Sequence, residues 1–247
     1  MKTPRILVVG SSNTDMIIKL DRIPRPGDTI LGGAFVTAAG GKGANQAVGA
    51  ARAGGQVTFI ARVGQDMFGD QAVAGFVKDG INADHVTRDK TNPSGVALIF
   101  VAKDGENSIA VAGGANAQLS PADVRKAKAA FAGASVLVMQ LETPLETVQA
   151  AADLAAKAGV RVILNPAPAQ PLPDKLLKRV SILTPNETEA ELLTGIAVND
   201  DSSAAAAAAR LRARGVQTVI ITLGARGAFV ATEDGEQLVP GFKVKAV

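Results

Sequence analysis

The sequence predicts an α/β fold: a mainly parallel sheet flanked by helices on both faces, with a small β-sheet flap or lid. Three observations carry this. From Ala134 onward, short apolar runs alternate with helical segments, the pattern of parallel strands joined by helical crossovers. Before that point lie extended segments with no helix between them, at residues 16–20, 29–37 and 96–112. Polar, proline-fixed or glycine-rich segments follow the strands of the first group, where parallel sheets bind ligands. The extended segments do not fit a parallel core, so they form a flap of approximately residues 14–38 and 92–113 within one domain spanning residues 1–247.

Taken in order, residues 5–10 are an apolar run ending in Gly-Ser-Ser-Asn, which reads as a buried strand. A second strand covers 16–20. Pro24, Pro26 and Gly27 make a turn, and 29–37 is extended again. The stretch Ala39-Gly40-Gly41-Lys42-Gly43-Ala44-Asn45-Gln46-Ala47 comes next, with a helix over 45–53 ended by Gly54-Gly55. A strand at 57–63 precedes a helix at 67–78, stopped by Asp79-Gly80. His85 precedes a strand-like segment and receives no role. Asp104-Gly105, between apolar runs at 96–101 and 108–112, marks a tight hairpin. Ser120-Pro121 opens a helix running to Phe131, with serine as cap and proline in the first turn.

Strands at 136–140, 160–164 and 180–183 then alternate with helices at 145–158 and 174–178. Helices cover 186–193 and 203–214; alanine favours the second, and Ser202 is placed to cap it. A strand at 219–222 leads to a hairpin pairing 226–231 with 237–239 across Asp234-Gly235, and 242–247 is strand-like. The run 96–101 is apolar at nearly every position, so both faces of the flap need covering. One face suits a bound ligand and the other a second copy, which predicts a homodimer through the flap.

Composition removes several function classes. Lys and Arg number 26 against 23 Asp and Glu, a net charge of +3, with the basic residues scattered and no Trp or Tyr for base stacking. Nucleic-acid binding is not expected. There is no Cys, hence no disulfide, thiolate catalysis or cysteine metal site. The apolar run at 6–9 is too short for a signal sequence and no run reaches a membrane span, so a cytoplasmic protein is expected.

The strand ends supply the chemistry. Asn13 and Asp15 follow the first strand, and Glu142 follows 136–140. Asn165-Pro166-Ala167-Pro168, Thr184-Pro185-Asn186-Glu187-Thr188-Glu189 and Thr222-Leu223-Gly224-Ala225-Arg226-Gly227 follow the next three. The loop at Gly40–Gly43 allows close backbone approach. The helix behind it directs free N–H groups at an anion or a hydroxyl-rich molecule, with Lys42 and Asn45 as side-chain donors. A Walker A loop fails, because its outer glycine and Ser/Thr positions hold Val36 and Gly43; the dinucleotide fingerprint fails at Gln46. Plainer roles exist for the same residues: Lys42 as a solvated helix-end lysine, Glu142 as a cap for the helix near Pro144, and Glu187, Glu189 and Glu191 as complements to a helix N-terminus.

In this order and combination, with Gly10-Ser11-Ser12-Asn13-x-Asp15 at the start, the chain resembles the ribokinase-like members of the carbohydrate and nucleoside kinase superfamily, shared with phosphofructokinase-B-type enzymes. The resemblance spans essentially the whole chain. It implies ATP-dependent phosphorylation of the terminal hydroxyl of D-ribose. Kinases for another pentose, a ketohexose or a nucleoside, and a non-catalytic sugar- or nucleotide-binding protein, are the alternatives. It implies that Asn13, Asp15, Gly41, Lys42, Asn45 and Glu142 hold the sugar, and that Asn186, Thr222, Gly224 and Gly227 line the ATP site. Glu189 would act on Mg²⁺ through water, and a monovalent cation (K⁺) is expected in the complete protein. The family's catalytic aspartate, in an Ala-Gly-Asp motif, is found nowhere in the sequence and is expected beyond Val247, so the expectation is a fragment of a longer kinase, with a shortened protein without catalysis as the alternative.

Overall fold

The computed structural model describes residues 3–243. In chain order its strands and helices are β1 (Arg5–Val9), β2 (Asn13–Leu20), β3 (Ala34–Gly40), α1 (Lys42–Arg52), β4 (Gln56–Gly64), α2 (Met67–Lys78), β5 (Asn82–Asp89), β6 (Gly95–Ala102) and β7 (Asn107–Ala112). They continue with α3 (Pro121–Lys126), α4 (Lys128–Phe131), β8 (Val136–Met139), α5 (Leu145–Lys157), β9 (Arg161–Leu164), α6 (Asp174–Leu177) and β10 (Ile182–Leu183). The last are α7 (Glu187–Thr194), α8 (Asp201–Ala213), β11 (Thr218–Thr222), β12 (Gly227–Ala231) and β13 (Glu236–Pro240).

Among the described residues the main sheet has nine strands in the order β13-β12-β11-β10-β9-β8-β1-β4-β5. Strands β5 through β11 in that order are parallel, and β12 and β13 add an antiparallel edge. Alternation along β1 sends Leu7 and Val9 into one buried cluster and Val8 into the other, so helices cover both faces. Leu137, Met139, Leu164 and Leu183 fill the larger cluster. Phe59 and Phe76 anchor the smaller, their rings edge to face at 5.1 Å.

The remaining four strands form the separate small sheet, in the order β3-β2-β6-β7. Its two central strands, β2 and β6, run parallel although they are far apart in sequence. The small sheet is therefore two hairpins, one inserted after β1 and one after β5.

Several boundaries differ from expectation. The segment 29–37 is not all strand: Gly32 and Gly33 both have φ of 96°, which interrupts extended pairing, and β3 instead runs on to Gly40 opposite Asn13. Helix α1 begins at Lys42, not at 45, because Gly41 makes the turn with φ 90°. The expected helix to Phe131 breaks at Ala127 into α3 and α4; Ser120 and Asp123 form a capping box at its start. Helix α8 is capped by Asp200, whose carboxylate accepts from Ser203 N, and not by Ser202. The strand-like segment 242–247 is not continued from β13, which ends at Pro240; residues 244–247 lie outside the described residues.

A buried ionic cluster pins the second hairpin to the main sheet. Arg62 on β4 reaches Asp89 at 2.7 Å and Asp123 at 3.2 Å. Asp89 also accepts from the backbone amides of Asn92 (2.8 Å) and Thr91 (2.9 Å), which fixes the turn into β6. Those amides and the Arg62 guanidinium hold the Asp89 carboxyl far below the usual carboxylate range, against the opposing effect of burial. A depressed folded value contributes stability above the unfolded carboxylate range, and that stability is lost as pH falls through the folded value. Asp89→Asn should cost about 3 kcal/mol near neutral pH, since it leaves Arg62 short of a buried partner. Urea unfolding from pH 7 to pH 2 should show a flatter acid limb in the variant; equal slopes for variant and wild type would refute the assignment.

Candidate active site

Three chain segments meet at the carboxyl ends of β1 and β8. Beyond β1, Ser11 is fully buried and its hydroxyl donates to Glu142 Oε2 at 2.5 Å. The Lys42 backbone N–H, at the start of α1, donates to the same oxygen at 2.9 Å. Gly43 N donates to Ser11 Oγ at 3.3 Å, and Ala44 N to the Ser11 carbonyl at 2.8 Å. The first amides of α1 are therefore taken by the protein itself. The anion at this helix N-terminus is Glu142, and the expectation of free N–H groups waiting for a ligand is corrected on that point. This also separates Glu142 from its plainer role, because helix α5 starts at Leu145 with Pro144 as its N-cap and no side-chain cap hydrogen bond.

Asp15 lies on β2 and is half-buried. Its carboxylate sits over Gly40, where a Cβ would collide with it. Burial first, and then the neighbouring negative charge of Glu142, raise the Asp15 carboxyl above its ordinary range. Asn13, one step nearer the root, is buried and pairs across the small sheet with Gly40 on one side and Gly95 on the other. Gly41 is buried at the turn, while the Lys42 and Asn45 side chains stay exposed at the mouth. Asn13, Asp15, Gly41, Lys42 and Glu142 are thus brought to one place, with Asn45 on the next turn of the helix.

The second group gathers at the ends of β10 and β11. Asn186 caps α7 and bridges to Thr222, and Thr222 N donates to the Pro185 carbonyl at 2.9 Å. Gly224–Arg226 form a single 3₁₀ turn closed by Leu223 N donating to Gly227 O at 2.8 Å. Gly227 has φ 104°, and a Cβ there would lie 2.5 Å from Gly241 N, so glycine is required. Arg226 pairs with Glu187 at 3.1 Å and Asp201 at 3.2 Å, holding the turn against α7 and α8. Asn165, at the end of intervening β9, donates to the Thr184 carbonyl at 3.3 Å. The two groups share one edge of the sheet. Two to four strand spacings separate them, roughly 10–19 Å.

Glu189 is buried and structurally engaged: its Oε2 accepts from Asn186 N at 2.9 Å, and Asn186 Oδ1 accepts from Glu189 N at 2.8 Å. The plainer, helix-capping role is therefore real. Among the described residues no three Asp, Glu or His side chains gather as a metal cage. A single carboxylate with free lone pairs fits Mg²⁺ only as a hydrated ion carried by phosphate oxygens.

Sequence reasoning missed Ser11, Asn116 and the Gln46–Gln140 pair. Gln140 Nε2 donates to Gln46 Oε1, tying the end of β8 to α1.

A sheet of this topology, with a glycine-turn helix clamped to a strand-end carboxylate and a small sheet rooted beside it, defines a class. The family model for "pfkB family carbohydrate kinase" matches residues 3–247, and the chain belongs to that family. Within the family it is 47% identical over 242 residues to the ribokinase of Haemophilus influenzae, covering 98% of this chain and 79% of that one. It is 40% identical over 243 residues to the deoxyribokinase of Salmonella typhi, covering 98% and 79%. The structure of Arabidopsis thaliana ribokinase complexed with ribose and ATP superposes with a TM-score of 0.86 at 32% identity, covering 97% of this chain and 78% of that one. The family makes the chain a phosphotransferase acting on a sugar hydroxyl. Among the described residues no helix is long and apolar enough to cross a membrane.

Proposed function

We propose that the protein transfers the γ-phosphoryl group of ATP to the 5-hydroxyl of D-ribose, giving ribose 5-phosphate and ADP, in the cytoplasm. One observation carries the sugar assignment. Two carboxylates, Asp15 and Glu142, converge on a glycine turn whose helix amides are already satisfied. Such a site repels phosphate and attracts a neutral polyol, whose hydroxyls donate to both acids and relieve the raised Asp15 carboxyl. Lys42 and Asn45 add donors at the mouth, and Gly41 lets the ligand approach the backbone.

Asn186, Thr222, Gly224 and Gly227 are assigned to the nucleotide, supported by the ordered turn after β11 on the same sheet edge. Glu189 is assigned to Mg²⁺ through water, its bound group supplying charge neutralisation on the phosphates. The chain's own residues hold the sugar hydroxyl in line with the phosphate and exclude water when the small sheet closes.

The small sheet also supports a homodimer. Cross-strand partners share a face, so Val36, Ile17, Ile99 and Ile109 form an apolar row on the Asp15 side. Phe35, Ile18 and Phe100 form another on the opposite side. Phe35 and Leu98 remain 61% and 49% exposed there, and a second copy is the partner assigned to that face.

Calorimetry with ribose, 2-deoxyribose, fructose and adenosine tests the sugar, and product analysis with ATP tests the transfer. Ribose should bind most tightly and yield ribose 5-phosphate, from a protein that sediments as a dimer. Tighter binding of fructose or adenosine would overturn the substrate, and a monomer with every ligand would overturn the assembly.

A further inference from the structure

Asn116 belongs to neither of the residue groups assigned to ligands, yet it is 2% exposed and makes three hydrogen bonds toward the sugar side. It lies in a short 3₁₀ segment, Gly114–Gln118, just after β7. Its Oδ1 accepts from the Ser12 backbone N–H at 2.8 Å. Its Nδ2 donates to the Ser12 carbonyl at 3.1 Å and to Asn13 Oδ1 at 2.8 Å.

The two backbone contacts remove any ambiguity about which way this amide faces. A backbone N–H can only donate and a carbonyl can only accept, so the Asn116 oxygen faces one and its nitrogen the other. The remaining Nδ2 proton then requires an acceptor, which makes the facing atom of Asn13 its oxygen. Gly95 closes the arrangement from the side: a Cβ there would collide with both Asn116 Nδ2 and Asn13 Oδ1.

We infer that Asn116 is a positioning residue for sugar recognition. It locks the Asn13 amide so that Asn13 presents only its Nδ2 donors to the ligand, beside the acceptor-only carboxylate of Asp15. A hydroxyl is both donor and acceptor, so a locked donor next to a fixed acceptor selects a hydroxyl and rejects a group with one capability alone. Unlocked, Asn13 would offer donor and acceptor faces alternately, and half of its orientations would set two acceptors against the same hydroxyl. The inference rests on the assignment of Asn13 to the sugar.

The test is ribose affinity by calorimetry, read together with thermal stability, for Asn116→Asp, Asn13→Ala and the double variant. Asn116→Asp keeps the acceptor for Ser12 N and the side-chain volume but removes the donor that locks Asn13. It should weaken ribose binding about 10-fold or more, as expected for a buried polar group left mispaired, with ATP affinity unchanged. In the Asn13→Ala background the same change should have no further effect on ribose affinity. Asn116→Ser is the second variant in case the aspartate impairs folding, and it is read in the same way. If Asn13→Ala weakens ribose binding and both Asn116 variants fold with wild-type affinity, the positioning role is overturned while the sugar site stands. If Asn13→Ala leaves ribose binding unchanged, the sugar assignment fails and takes the positioning role with it. A full, undiminished effect of Asn116→Asp in the Asn13→Ala background would show that Asn116 acts on the fold and not through Asn13.

Discussion

Glu142→Ala is expected to weaken ribose binding by about 10–100-fold, the size of one lost hydrogen bond to a charged group. The same substitution strips Lys42 N and Ser11 Oγ of their common acceptor. Unpaired groups at a buried helix start cost about 1–3 kcal/mol, so the melting temperature should fall as well. Glu142→Gln separates the two effects. Its amide oxygen still accepts from Lys42 N, so stability should recover more than affinity does. Calorimetry and thermal unfolding of the three proteins check this. An unchanged ribose dissociation constant in Glu142→Ala would remove Glu142 from the sugar site and leave it as a clamp on α1 alone.

Gly43→Ala should have a still larger effect. A Cβ on Gly43 would lie 2.5 Å from Ser11 N and 2.6 Å from the carbonyl carbon of Gly10. Both are backbone atoms of the segment leaving the central strand, and neither can swing aside. Relief requires α1 and that segment to part, which costs about 1–3 kcal/mol or more and misplaces every group on the glycine turn. Ribose binding should drop more than 100-fold, since misplacement by about an ångström has that consequence at a site built on alignment. Gly49→Ala supplies the control on the same helix. A Cβ there meets nothing within 4 Å, so the change should stabilise the protein by about 0.5–1 kcal/mol and leave ribose affinity alone. Equal behaviour of the two variants would mean that the Gly43 contact is not the constraint described.

The sequence was most informative where local chemistry decides local structure. The alternation after Ala134, the Asp-Gly hairpins and the capping residue Ser120 all appear as expected, because strand runs, tight turns and caps are specified within a few residues. Strand β5 escaped. Its sequence Asn-Ala-Asp-His-Val-Thr-Arg-Asp has no apolar run, and it lies at the sheet edge where only half-burial is demanded. The parallel union of β2 with β6 was equally hidden, since nothing local marks strands that meet across so much intervening chain.

The site divides in the same way. Asn13, Asp15, Lys42 and Glu142 stand at strand ends and a helix start, where position alone draws notice. Ser11 and Asn116 matter through partners 131 and 104 residues distant, and only the folded chain reveals those partners. The glycine loop shows the limit most clearly. Its composition invited an anion from outside, whereas the fold had already supplied one in Glu142.

The register row Gly40–Asn13–Gly95 gives the small sheet a mechanical character. Two glycines flank one asparagine where three strands leave the main body, and their missing side chains make the row the narrowest part of the joint. Everything beyond it is a stiff plate. The eight residues of β2 make a lever of roughly 26 Å, and a tilt of about 10° at the row sweeps its far end through about 4–5 Å. The fulcrum of that lever is Asn13, a residue assigned to the sugar. A ligand seated there would load the pivot itself, so a contact with one hydroxyl would be read out as the angle of a whole sheet.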